Sequence, residues 1–256
     1  MSSGESVGRV LRVALALCVV CSVVVSTAAV MLKPAQEANK SLDKKRNILQ
    51  AAGMLQPGVD IDTQYEAVEE RYVDLENGRF TDDVHEGYSQ REASKDLALS
   101  RNVPSEDDIA KVGRQAEIAQ VYLVRDEQGD VSRIILPVHG YGLWSTLYGF
   151  LALESDGNTV AGLGFYEHGE TPGLGGEVDN PRWKALWPGK KVYRDGDVAI
   201  RLMKGAVDPQ SDAADWRVDG LSGATLTSRG VSNLLAFWMG DKGFAPFLNN
   251  LRNGDA

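Results

Sequence analysis

The chain has 256 residues, 43% of them hydrophobic and 25% charged, with a formal net charge of -9. This is enough for one medium domain or two small ones with a real core, and it excludes disorder as the default. Acidic and basic residues interleave without a basic stripe, which excludes a nucleic-acid surface, because phosphates need clustered cations to meet them.

In chain order, a short N-terminal tail, 1–12, leads into Val13 to Leu32, VALALCVVCSVVVSTAAVML, which carries no charge over 20 residues. At about 1.5 Å rise per residue it spans a hydrocarbon core of roughly 30 Å, which predicts one transmembrane helix. The competing reading is a cleaved signal peptide, with Arg9 and Arg12 as the n-region and small residues at Ser26 to Ala29. The apolar run exceeds the usual h-region of about 7 to 15 residues, and an uncleaved anchor is expected. Cys18 and Cys21, the only cysteines, lie inside the span, away from any His or third thiol, and read as small apolar helix residues. Lys33, Lys40, Lys44, Lys45 and Arg46 follow the span, so charge bias alone favours a cytoplasmic C-terminal domain.

A helical stalk and irregular region is expected over 33–119. Asn39 to Met54 has a broad apolar side closed by Gly53 and Pro57, Ile61 to Val73 predicts a second helix, and Leu75 to Pro104 is polar with turn signals. From 120 to 256 a folded domain is expected. Two hairpins follow one another, turning across Asp126 to Asp130 and Ser155 to Asn158, with a further strand at Val198 to Val207. A closing helix at Ser228 to Met239 carries Val231, Leu234, Leu235 and Trp238 on one face and stops at Gly240. The expected class is α+β, an antiparallel sheet packed with helices and preceded by the membrane helix.

The chain has no phosphate-binding P-loop, no H-E-x-x-H and no G-x-S-x-G, and His85, His139 and His168 lack metal-ligand spacing. Three segments stand out instead. In 166-YEHGETPGLGGEVDNP-181 the glycines surround Pro172 without the spacing of a dinucleotide fingerprint, so a surface loop and a ligand wall are both open readings. In 137-PVHGYGLWSTLYGF-150, Tyr141, Trp144 and Tyr148 suit either an aromatic core strand or stacking on a planar ligand. In 219-DGLSGATLTSRG-230 four hydroxyls precede a helix, where backbone N–H groups and the helix dipole favour a phosphate. Pattern alone favours a simple cap by Thr225, Thr227 or Ser228.

The string 219-DGLSGAT-225 resembles the flavinylation motif D-x-x-[ST]-G-A-T. With the anchor and 168-HGETPGLGGEV-178, the chain resembles the C subunit of the Na⁺-translocating NADH:quinone oxidoreductase, the NQR complex. That resemblance implies FMN esterified through its phosphate to Thr225 by a separate flavin transferase, with Gly223 leaving room, Ala224 adding little bulk, Ser222 completing the motif and Asp219 recognised by the transferase. It makes Glu170, Thr171, Gly173 and Leu174 candidate contacts of the isoalloxazine ring, with Trp144 and Ser145 beside them and Lys204 near the phosphate. No catalytic residue and no metal site are implied, because the flavin performs the redox chemistry. The implied partners are the other subunits of a bacterial inner-membrane complex that relays electrons from NADH towards ubiquinone and moves Na⁺, with the flavin domain periplasmic, against the charge bias. The alternatives are the G-type subunit of the Rnf ferredoxin:NAD⁺ oxidoreductase, a membrane-anchored FMN-binding module without respiratory role, and an ectodomain with no cofactor.

Overall fold

A computed structural model describes residues 7–256 of the protein; residues 1–6 of the tail lie outside the described residues. Two units divide the chain, Met1–Lys44 and Lys45–Ala256. Helix α1, Val7–Ala51, contains an 18-residue window with a mean hydropathy of 2.6, long and apolar enough to cross a membrane. It ends where Gly53 takes φ 69°, a left-handed conformation suited to glycine.

The second unit continues with α2 (Ile61–Tyr65), β1 (Val68–Asp74), β2 (Arg79–Phe80), α3 (Gln90–Ala93), β3 (Ser100–Asn102) and β4 (Arg114–Ala116). Then come β5 (Ile118–Arg125), β6 (Val131–Tyr141), β7 (Thr146–Glu154), β8 (Val160–Glu167) and α4 (Pro181–Lys184). The chain closes with β9 (Tyr193–Arg194), β10 (Asp197–Val198), β11 (Arg201–Leu202), β12 (Arg217–Val218), α5 (Thr225–Trp238) and α6 (Ala245–Asn253). The main sheet has six strands in the order β2-β1-β5-β6-β7-β8, antiparallel throughout. The α+β class and both hairpins are as expected from the alternation. Asp126 closes the first turn by accepting from the Gln128 and Asp130 N–H groups, and Asp156 closes the second by accepting from Asn158 and Thr159.

Three expectations are corrected. The helix predicted over Ile61 to Val73 stops at Tyr65, and Val68–Asp74 is instead a strand, because Val68, Glu70 and Tyr72 alternate with Glu69, Arg71 and Val73 and pair with β5 from Val68↔Val124 to Asp74↔Ile118. The sheet thus draws β1 and β2 from the stretch expected to be stalk and irregular chain. The strand expected at Val198 to Val207 reduces to short pieces, with Arg201–Leu202 pairing in parallel with Arg217–Val218. The helix expected to close the chain begins at Thr225 and is followed by α6, which ends on Gly254 in the left-handed region.

Alternation on the central strands gives the sheet two buried faces. Val121, Leu123, Ile134, Leu136, Leu151 and Leu153 pack with Leu234, Leu235, Trp238 and Phe247 of α5 and α6. Tyr122, Val124, Ile135, Phe150 and Ala152 pack with Ile48, Leu49, Ala51 and Ala52. Each large aliphatic side chain so buried contributes about 2 kcal/mol by apolar transfer. Glycine decides how closely α5 lies on β6. A Cβ on Gly230 would stand 2.5 Å from the Tyr141 carbonyl oxygen, and one on Gly140 3.0 Å from Leu234. Trp238 Nε1–H donates to the His139 carbonyl at 2.6 Å and fixes the helix along the strand. This seating brings the start of α5 beside the β6–β7 loop.

Candidate functional site

Three segments that are distant in sequence meet at one carboxylate. Glu170 is only 5% exposed. Its Oε1 accepts from the backbone N–H of Leu143 at 2.9 Å and of Trp144 at 3.0 Å, and its Oε2 accepts from Thr227 Oγ1 at 2.6 Å. The chain around it has no room for side chains. A Cβ on Gly142 would lie 2.6 Å from Oε1, and one on Gly175 would lie 2.6 Å from both Oε2 and Thr227 Oγ1. Burial alone would raise the Glu170 pKa, but the hydrogen bonds from Thr227, Trp144 and Leu143 outweigh it and hold the carboxyl below its ordinary value. The result is a charged brace joining the β6–β7 loop, the glycine-rich segment after β8 and the first turn of α5.

The expected ring contacts sit on this brace. Leu174 is 44% exposed and Trp144 65% exposed, both apolar surfaces left open to solvent. Thr171 is exposed, and its carbonyl turns the segment by accepting from the Leu174 N–H at 3.1 Å and the Gly176 N–H at 2.9 Å, while Gly173 takes φ 76°. Ser145 Oγ accepts from the Gly169 N–H at 2.6 Å and ties the two segments a second time. The Glu170 side chain itself is turned inward with both oxygens engaged, so at this position the carboxylate does not face outward. His168 closes the loop by accepting from the Glu170 N–H through Nδ1 at 3.2 Å, with Nε2 2.8 Å from Asp179.

The hydroxyl loop resolves the four candidates. Thr225 is exposed and is the first residue of α5, a helix start that no side chain caps. Thr227 is fully buried on Glu170, and Ser228 is buried with its Oγ accepting from the Leu221 N–H at 3.0 Å. Ser222 and Gly223 are exposed, Gly223 at φ 71°, and Ala224 is buried. A Cβ on Gly223 would lie 2.9 Å from Leu174 Cδ2, so the hydroxyl loop and the glycine-rich wall touch. The expected simple cap by Thr225, Thr227 or Ser228 is therefore not what the helix uses.

Beside Thr225 opens a cleft of about 820 Å³, shared by Ser222, Gly223, Asp219 and Met203 with the cations Arg201, Lys204 and Arg229. Burial, and after it the positive charge of Arg201 and Arg194, pushes the pKa of the neighbouring Arg217 down. Sequence reading singles out Lys204 alone among these cations. Arg229 is detectable as the residue one helical turn after Thr225, whereas Arg201 arrives through a two-residue parallel pairing that leaves no local pattern. Among the described residues no cluster of His, Cys, Asp or Glu is arranged to hold a metal ion.

Comparison with known proteins gives concordant results. Residues 142–240 match the family model of the FMN-binding domain. Over its whole length the chain is 54% identical to the C subunit of the Na⁺-translocating NADH-quinone reductase of Pseudomonas aeruginosa, covering 100% of both chains. It is 49% identical to the C subunit of the Vibrio alginolyticus reductase, over 99% of this chain and 98% of that one. Among solved structures, Shewanella oneidensis NqrC superposes with a TM-score of 0.77 at 37% identity, covering 84% of this chain and 99% of that one. The full-length identity, the matched FMN-binding segment and the shared fold place the chain in the NqrC family, the C subunits of the Na⁺-translocating NADH-quinone reductase, an oxidoreductase complex, with an FMN-binding domain over residues 142–240.

Proposed function

We propose that Thr225 carries FMN through a phosphoester and that the chain relays electrons from NADH towards ubiquinone within its complex, coupled to Na⁺ export. One observation carries this reading. Thr225 is an exposed hydroxyl on the first residue of an uncapped helix, while Thr227 and Ser228 beside it are buried and bonded. In the attachment step, driven by a separate flavin transferase, Thr225 Oγ1 bonds to the FMN phosphorus of FAD. The phosphorus–oxygen bond to AMP breaks, AMP leaves with its electron pair, and the threonine hydroxyl proton is released.

The residues present fit the group. The phosphodiester keeps one negative charge, which the positive end of α5 and Arg201, Lys204 and Arg229 stabilise. The cleft volume lies in the range of small-molecule sites; the wall residues Trp144, Ser145, Thr171 and Leu174 do not line that cleft and meet the hydroxyl loop where a Cβ on Gly223 would stand 2.9 Å from Leu174. When bound, FMN supplies the electron-transfer chemistry, so the protein needs no acid, base or nucleophile of its own. Leu174 and Trp144 would offer apolar surface to a planar ring, Thr171 and Ser145 would supply polar groups to it, and Glu170 holds these parts in register from within.

In the same reading, the helix crosses the bacterial inner membrane over 13–32 and the flavin domain lies in the periplasm. The Lys/Arg count after the span opposes this, but that rule acts weakly on a long translocated domain. The test is co-expression with a flavin transferase followed by in-gel fluorescence of the denatured chain. A fluorescent wild-type band that vanishes in Thr225→Val is expected; undiminished fluorescence in the variant would overturn the assignment. Labelling of single engineered cysteines in intact cells reads the sidedness, and a residue near 225 protected from an impermeant reagent would refute a periplasmic domain.

A further inference from the structure

We infer that Asp219 acts within the chain, as a positioning residue that clamps the strip Met203–Val207 against the hydroxyl loop and so builds one wall of the cleft at Thr225. The inference rests on reading Thr225 as the attachment residue, which gives that cleft its use.

The strip is an exposed stretch with little packing of its own, and three hydrogen bonds hold it to the loop. The Met203 N–H donates to the Val218 carbonyl at 2.8 Å, the Gly220 N–H donates to the Gly205 carbonyl at 3.0 Å, and the Val207 N–H donates to Asp219 Oδ1 at 2.8 Å. The first two are backbone to backbone and use no side-chain donor or acceptor. The third comes from a side chain and stands where the strip leaves for the exposed residues 208–212. Asp219 is itself anchored, because Trp183 Nε1–H donates to its carbonyl at 3.0 Å. Gly220 permits the contact, since a Cβ there would lie 2.0 Å from the Met203 carbonyl oxygen.

What the clamp holds is functional surface. Met203, Lys204, Gly205 and Ala206 line the same cleft as Ser222, Gly223 and Thr225. Released at Val207, the strip frays and takes Lys204 away from the attachment threonine. The motif's Asp and Thr are thus linked inside the acceptor protein, through the strip. The geometry asks of Asp219 only an acceptor oxygen, which an amide also supplies.

The test compares Asp219→Asn and Asp219→Ala in the full chain. Flavin labelling is read by in-gel fluorescence after co-expression with a transferase, and hydrogen exchange of the Val207 amide is read in unmodified chain made without it. Asp219→Asn is expected to label within about twofold of wild type with Val207 still protected. Asp219→Ala is expected to label at least about tenfold less and to exchange Val207 at least about tenfold faster. Loss of labelling in Asp219→Asn with Val207 protected would show that the transferase reads the carboxylate and would overturn the clamp, as would unchanged Val207 exchange in Asp219→Ala. Gly220→Ala displaces the strip with Asp219 intact and is expected to label poorly; labelling equal to wild type would overturn the proposal. If wild type fails to fluoresce, the reading of Thr225 falls, and Val207 exchange still decides the clamp.

Discussion

The two glycine-rich segments that touch at Leu174 and Gly223 each contain one backbone-binding carboxylate, yet they are built to opposite ends. In the wall, Glu170 is buried and gathers donors from two other segments, 26 to 57 residues away. In the hydroxyl loop, Asp219 is half-buried and binds one N–H of a neighbouring exposed strip. The wall is tied into the core through Thr227 and α5, which on the proposed reading gives it the rigidity a planar ring needs. The loop is anchored by Leu221, Ala224, Thr227 and Ser228 in the interior, while its carboxylate Asp219 binds another surface segment and Ser222 and Thr225 stay open at its surface. On the proposed reading of Thr225 a covalent-flavin site uses both, and the two segments touch where a Cβ on Gly223 would meet Leu174.

That contrast predicts a ranking of effects. Glu170→Ala strands the Thr227 hydroxyl and two N–H groups in a buried place, and we expect a loss of about 4 kcal/mol in urea unfolding. Gly175→Ala drives a methyl group into Glu170 and Thr227 and should cost about 2 kcal/mol, read as a lowered urea midpoint at unchanged slope. Thr227→Val keeps the volume and removes one donor, for about 1.5 kcal/mol. Asp219→Ala should move global stability by less than about 1 kcal/mol, because its partner lies on the surface. An Asp219→Ala loss as large as that of Glu170→Ala would break the comparison.

Acid sharpens the same contrast. The folded-state pKa of Glu170 lies below the ordinary value of 4.5, so its stabilisation is complete above that value and is lost as pH falls through the folded pKa. Unfolding curves taken from pH 6 downward, to about pH 3, should therefore show wild type losing stability more steeply than Glu170→Gln. Parallel curves would mean that the brace is not ionised.

Much of the fold was legible because its signals are local. The uncharged run of Val13 to Leu32 and the two hairpins, with their Asp-closed turns, need only neighbouring residues to be read. The failures have physical reasons. In Val68–Asp74 the charged Glu69, Glu70 and Arg71 conceal a period of two that pairing with β2 and β5 stabilises. The β11–β12 pair is too short to carry a pattern, and α6 follows two glycines that read as an ending. At the site, the motif selected Thr225, but the inward turn of Glu170 was invisible because its partners lie far along the chain. The cations of the cleft were missed for the same reason, apart from Lys204.

The burial of Thr227 on Glu170 has a meaning for the order of events in the cell. On an extended chain, Ser222, Thr225, Thr227 and Ser228 present four chemically similar alcohols within seven residues. Folding withdraws two of them into the interior and leaves one of the remaining pair at a helix start. On the proposed reading of Thr225, fidelity of flavin attachment is delegated to folding, which hides Thr227 and Ser228 and so acts as the proofreading step.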